Sequence, residues 1–408
     1  MSADIKPRNA GEVEQAVQWA LAEDKTLEVI GRGSKRAIGR AAQWDATLDL
    51  SSLSGITLYE PAELVLSAKA GTPLVEIETL LAANAQQLAF EPADYGTLLG
   101  VAPGTGTIGG VIAANLSGPR RLKAGAARDH FLGVAAVSGR GETFKSGGRV
   151  VKNVTGYDLC KLLAGSWGTL AAMTEVTVKT LPRAETEETL LVLTRDDATA
   201  ARAMTAAMAS YADVSGAAHL PAGPASIVGE LQGFGGGATA LRLEGVAPSV
   251  AHRKDLLDKL LTGFGKLETL SAATSRTLWR AIRDVAPFAA GGPHNERYVW
   301  RISTAPTRGV EIGRKLAEAA QAESFFDWAG GLVWAALPPA DDGGAAVVRA
   351  LVAAAGGHAT LIRAPAAVRA KIDVFEPQNP ALAALTKRVR EGFDPRGVLN
   401  AGRMWAGV

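Results

Sequence analysis

The sequence predicts an α+β protein of two domains followed by a tail, and three observations carry that prediction. Helical and strand-like apolar patterns alternate through roughly the first ninety residues. Glycine clusters at 31–39, 96–110, 139–148 and 165–168 punctuate the first half of the chain. After Pro182 the texture changes to strand-like runs separated by alanine-rich helices. The expected division is 1–182, then 183–372 as an antiparallel sheet covered by helices, then a segment 373–408.

Asn9, with Glu12 three residues on, reads as the N-cap of a helix over 10–24 whose apolar face is Val13, Val17, Ala20 and Leu21. Leu27 to Ile30 is a short strand running straight into Gly31, and 47–50 and 64–70 are further strands. Pro73 suits the start of a helix reaching about Ala85. Residues 103–115 form a glycine-rich turn entering a helix of small residues, and 131–138 with 142–145 form a hairpin around Gly139-Arg140-Gly141. A short helix over 157–163 precedes a long strand over 169–181, which Pro182 ends. Beyond it, strands are expected at 189–193, 241–246, 299–303, 332–337 and 360–362, and helices near 196–211, 248–263, 307–321, 344–355 and 381–391. The helices vary too much in length to form a repeat array.

Composition removes several function classes. With 408 residues, 47% hydrophobic, and a net charge of +2, the chain can bury more than one core and offers no basic groove for nucleic acid. The lone Cys160 excludes an internal disulfide and a cysteine-ligated iron–sulfur cluster, and its apolar surroundings suggest an inert buried thiol. No run of 18 apolar residues and no signal-peptide pattern is present, so a soluble, cytoplasmic protein is expected. Association with the inner face of a membrane through partners stays open.

Four segments carry chemistry. Gly31-Arg32-Gly33-Ser34-Lys35 follows a strand, so its backbone N–H groups can form an anion nest to which Arg32, Ser34 and Lys35 add donors. Pro103-Gly104-Thr105-Gly106-Thr107-Ile108-Gly109-Gly110 matches G-x-G-x-x-G, but residues 91–96 before it read as a loop, which argues against a nicotinamide-binding unit. The amides of Thr107 to Gly110 suit a pyrophosphate all the same. Gly118-Pro119-Arg120-Arg121 leads to Gly125 and Arg128-Asp129, and Gly165-Ser166-Trp167-Gly168-Thr169-Leu170 precedes the long strand.

In this order the segments resemble the FAD-binding domain of the p-cresol methylhydroxylase/vanillyl-alcohol oxidase superfamily, over about 10–182. A closer resemblance, to the FAD-binding subunits of bacterial glycolate oxidase, spans nearly the whole chain. It rests on Gly118 to Arg121, 152–159, Trp300 to Ser303, Asp327 to Gly331, and Phe393 to Arg403. What it implies is a two-part FAD-binding domain of the p-cresol methylhydroxylase type, an α+β cap, and a tail returning to the flavin. FAD contacts are expected from Gly31, Arg32, Gly33, Ser34, Lys35, Pro103, Thr107, Ile108, Gly109, Gly110, Gly118, Gly125, Arg128, Gly168 and Asn400. Ser34 stands where some members carry a histidine bonded to FAD, so the FAD is expected to be non-covalent. No paired histidines suggest a metal. The implied partners are a second FAD-binding subunit and an iron–sulfur subunit.

The reaction implied is oxidation of glycolate, a 2-hydroxy acid, to glyoxylate. Arg301 is the candidate clamp for the substrate carboxylate, against a structural ion pair; His294 is the candidate base, against an exposed loop histidine. Trp279, Trp300, Trp328 and Trp334 read as core or interface. Two other readings stand beside this one: a free-standing D-lactate-type dehydrogenase, and an FAD-binding accessory subunit that relays electrons or is not catalytic.

Overall fold

A computed structural model describes residues 3–148, 157–194 and 196–407. The 152–156 part of the motif quoted above lies outside them.

The chain begins with three short parallel strands, Ala3–Ile5, Leu27–Ile30 and Ala46–Asp49, with the last in the middle. The helix Ala10–Ala22 links the first two. It starts where expected because the Asn9 side chain accepts the Glu12 N–H at 2.9 Å, and the Glu12 carboxylate accepts the Arg8 N–H at 2.8 Å. Val13, Ala16, Val17 and Ala20 are buried against this sheet, each fully buried valine contributing about 1.5–3 kcal/mol.

A second sheet has five antiparallel strands in the order Ile56–Glu60, Val65–Lys69, Ala171–Lys179, Phe131–Ser138, Thr143–Gly147. The central strand Ala171–Lys179 comes last in the chain, so this sheet closes only after the glycine-rich segments are placed. The short helix Ile108–Ala114 packs on it through Ile108, Val111 and Ile112.

The eight strands from Thr186 onward form one antiparallel sheet with a duplicated plan. Apart from the short helix Ala222–Ile227, residues 186–270 run strand, helix, strand, strand, helix, strand, and residues 298–363 repeat that order. The two units lie side by side through Gly216–Leu220 and Glu323–Asp327, bridged at His219 and Phe326. Four helices, Asp197–Met208, Ala247–Leu261, Pro306–Ala320 and Ala345–Ala355, cover one face. The other face packs on the five-stranded half: Leu191, Ala240, Val299, Phe325 and Trp334 share a core with Leu66, Phe90 and Ile108.

In the eight-stranded half three strands and the long helix Ala272–Arg283 were not anticipated, and in the first half neither were the strands Ala3–Ile5 and Ile56–Glu60. Gly216–Leu220 is glycine, alanine, histidine and leucine, buried at every position, so it shows no alternation. Glu323–Asp327 has a charged residue at each end, and Lys266–Leu270 carries Lys266 and Glu268. The helix Ala272–Arg283 is rich in Ser, Thr and Arg and is fixed by tertiary partners: Ser275 and the Trp279 indole both bond Thr189, at 2.6 and 2.8 Å.

The tail returns to the first sheet. Leu27 N–H donates to Val398 at 2.7 Å and Asn400 N–H to Leu27 at 2.9 Å, adding Leu399 beside the strand Leu27–Ile30. Asp394, buried, accepts the N–H groups of Val398 and Leu399 at 2.9 and 2.8 Å, which shapes the turn.

Candidate FAD site and the cluster around Trp328

Between the parallel sheet and the five-stranded sheet lies a cleft of about 680 Å³. Its wall is Val29 to Arg36, with Leu50, Ala70, Thr107, Gly109, Gly110, Ala113, Trp167, Gly168, Ala171, Met173 and Arg403. Glycine is required at the closest approaches. A Cβ on Gly31 would lie 2.5 Å from Thr107 Oγ1, and one on Gly109 would lie 2.7 Å from the Ala70 carbonyl oxygen. Thr107 caps the helix, its hydroxyl accepting the Gly110 N–H at 3.2 Å, so the helix start and the loop 31–35 meet at one point.

Of the charges gathered there, Lys35 makes no ion pair among the described residues and Arg403 has only a long contact to Glu28. Lys35 Nζ bonds Ser34 Oγ at 3.1 Å, and burial holds its pKa down at about 8; Arg403 adds to that and Asp94 opposes it. Arg403 is buried, which lowers its pKa to about 10. Its Nη2 donates to the Lys35 carbonyl at 3.3 Å, its Nη1 is 3.7 Å from Glu28, and its Nε and Nη1 find no hydrogen-bond acceptor among the described residues. A buried guanidinium with idle donors, a desolvated lysine and a glycine loop together suit a pyrophosphate. Trp167, Leu50, Ala171 and Met173 give the same cleft apolar walls.

Of the residues expected at the cofactor, Gly31, Arg32, Gly33, Ser34, Lys35, Thr107, Gly109, Gly110 and Gly168 line the cleft. Ile108 is fully buried beneath it. Pro103, Gly118, Gly125, Arg128 and Asn400 do not line it. Pro103 and Arg128 are exposed. Gly125 has φ 87° at the end of the turn of helix Arg121–Ala124. Gly118 accepts the Trp328 indole N–H at 3.0 Å and so belongs to the seam with the eight-stranded sheet. Asn400 stands behind the cleft: its amide accepts from Val29 N–H at 2.9 Å and donates to the Trp167 carbonyl at 2.7 Å, tying together two walls. Trp167 and Arg403 were missed as cleft residues, although both stand inside the quoted motifs; the folded cleft brings them to its wall.

His294 is not the exposed loop histidine that was the alternative to a base. It is buried, 3.3 Å from Glu323 and edge-on to Phe288. Burial lowers its pKa, against the pull of Glu323. None of these neighbours is shared with Arg301. Strand alternation puts Trp300 and Ile302 toward the helices and Arg301 on the face toward the five-stranded half. There Arg301 lies 5.0 Å from the centre of the Trp328 ring, with Tyr95 beside it, and makes no ion pair among the described residues. The exposed Arg121 stacks on the same ring at 4.3 Å. Trp328 and Ala329 have φ 52° and 55°, followed by Gly330 at 98°, a strained turn that fixes the indole. Asp327, just before it, is buried and accepts the Trp328 N–H at 2.7 Å; burial raises its carboxyl to about 7, with Glu91 adding to the rise and Arg242 and Arg301 opposing it.

A protein-family model described as an FAD binding domain matches residues 1–147. Glycolate oxidase subunit GlcE of Escherichia coli (strain K12) is 31% identical over 397 residues, covering 96% of each chain. The chain belongs to the glycolate oxidase FAD-binding subunit family. It is an FAD-linked oxidoreductase, and FAD is its cofactor. Glycolate oxidase subunit GlcD of Bacillus subtilis (strain 168) is 32% identical over 192 residues, 47% of this chain and 39% of that one. Among solved structures, p-cresol methylhydroxylase with substrate bound superposes with a TM-score of 0.70 at 13% identity, over 98% of this chain and 88% of that one. The fold is therefore of the p-cresol methylhydroxylase type. The cleft residues fit this family's cofactor, since Lys35, Arg403 and the amides of 31–33 and 107–110 would hold its phosphates. No described helix is long and apolar enough to cross a membrane.

Proposed function

We propose that this chain is the FAD-binding subunit of a glycolate oxidase complex, that it binds glycolate, and that it passes the electrons to a second FAD-binding subunit and an iron–sulfur subunit. In this division residues 1–182 hold FAD, 183–372 cover the substrate, and 373–408 lock the tail onto the cofactor cleft. The observation that carries the reading is the pair Arg121 and Arg301 on one indole, two guanidiniums without carboxylate partners among the described residues. Such a pair suits the carboxylate of a small 2-hydroxy acid, which arginine binds bidentately.

FAD, when bound, supplies the acceptor for the two electrons and hydrogen of the substrate carbon. The protein's part is to bind and orient. Arg301 and Arg121 grip the carboxylate, Trp328 holds both at fixed height, and the Tyr95 hydroxyl stands beside Arg301. For the hydroxyl proton, Asp327 replaces His294 as our candidate acceptor, since a carboxyl near pH 7 in a dry site is matched to that task.

The test is the visible spectrum of the purified chain, followed by anaerobic glycolate and D-lactate. A yellow protein whose FAD is released by acid and which bleaches with glycolate supports the reading. Bleaching only after the other subunits are added moves substrate oxidation to a partner. A colourless chain that cannot be reconstituted with FAD defeats the proposal. Arg301→Met and Arg121→Met should each lower kcat/KM for glycolate by about 10- to 100-fold, chiefly through KM.

A further inference from the structure

The helix Pro380–Phe393 is amphipathic but lies largely uncovered. Of its fourteen residues only Arg390 is buried. Leu382 and Leu385, on the same side as Val389, are 46% and 48% exposed, and Leu162 across the gap is 38% exposed. Between them runs a groove of about 770 Å³, lined also by Leu170, Met404 and Trp405. An apolar stripe left open on a helix marks a contact surface.

Arg390 lines this groove at 8% exposure. Its Nε and Nη2 find no acceptor among the described residues. Asp394 Oδ2 is 3.9 Å away and already accepts the Leu399 N–H. A buried cation with idle donors under an apolar rim is costly unless a carboxylate arrives. The stripe from Leu382 to Val389 is about 10 Å long, the length of a helical segment rather than of a small metabolite.

We infer that this groove docks an apolar segment carrying one acidic side chain from the second flavoprotein subunit, with Arg390 receiving the carboxylate. The inference rests on the complex proposed above. Its position matters: the turn 165–170 gives Gly165, Ser166 and Thr169 to the groove, and Trp167 and Gly168 to the cofactor cleft. A partner seated there lies one turn of backbone from the cofactor.

The full chain, loaded with FAD, is co-expressed with the GlcD-like subunit of its own source, and the affinity of the pair is measured by titration. Leu382→Asp with Leu385→Asp alters exposed positions and should weaken the pair by about tenfold or more, with the flavin spectrum unchanged. Arg390→Met should do the same and Arg390→Lys should retain most of the affinity. Variants that bind like the wild type overturn the groove while leaving the complex intact. If the wild-type pair does not form, the complex falls and the docking with it. If the leucines instead drive self-association of this chain, the occupant is a second copy and the assignment to the flavoprotein subunit is wrong.

Discussion

Lys35 carries its charge in a place that disfavours it. Burial sets its pKa at about 8 against 10.5 when unfolded, so between those values the unfolded chain binds more protons and the stability of the FAD-free protein should rise with pH. FAD binding has the opposite dependence: phosphate binding needs the ammonium, so affinity should fall as pH rises above about 8. Lys35→Met should weaken FAD binding by about 10- to 100-fold and flatten that pH profile, as measured by flavin release at a series of pH values. The residue itself was legible in the sequence, in a glycine–serine loop after a strand. Arg403 was not named beside it, because its idle donors exist only once the tail has folded back 368 positions along the chain to reach Lys35.

At the scale of elements, close approaches between backbones decide the architecture around Trp328. The helix Pro306–Ala320 lies so near the strained turn that a Cβ on Gly309 would sit 1.9 Å from the Gly330 carbonyl oxygen. Gly309→Ala should therefore destabilise by about 2–3 kcal/mol, seen as a lower denaturation midpoint, and should lower glycolate affinity by displacing the indole. Helices with a cap and a stripe, such as Ala10–Ala22 and Pro380–Phe393, were readable because cap and stripe are local. The strands Gly216–Leu220 and Glu323–Asp327 were not, because both of their faces are buried in the middle of a sheet and no alternation remains to be read.

Across the whole molecule, the two halves are held by a buried ion network. Arg242, on the eight-stranded sheet, donates to both oxygens of Glu91 at 2.9 and 3.0 Å, and Arg120 joins Glu91 to Glu244. Burial alone would raise the Glu91 pKa, but Arg242 and Arg120 outweigh it and hold it at about 2. Glu91 thus contributes stability that is present above its unfolded pKa near 4.5 and is lost as pH falls toward 2. Glu91→Gln, which leaves Arg242 buried without its counter-charge, should cost about 3–5 kcal/mol, and Glu91→Gln with Arg242→Met should cost less than the two single changes summed, in a double-mutant cycle of unfolding.

The sequence by itself determined the fold class, the flavin family and the glycine loop 31–35 that lines the cleft. Those depend on short-range patterns: a strand ending in glycines, a capped helix, a proline that stops a strand. Only the tertiary structure decided which charges are left without partners. Arg121 and Arg301 are 180 positions apart and meet on one indole, while His294, seven positions from Arg301, turns to Glu323 instead. The duplicated strand–helix plan of the eight-stranded sheet was hidden for the same reason: its two halves share an order of elements, and sheet pairing between distant strands, not local sequence, places them side by side.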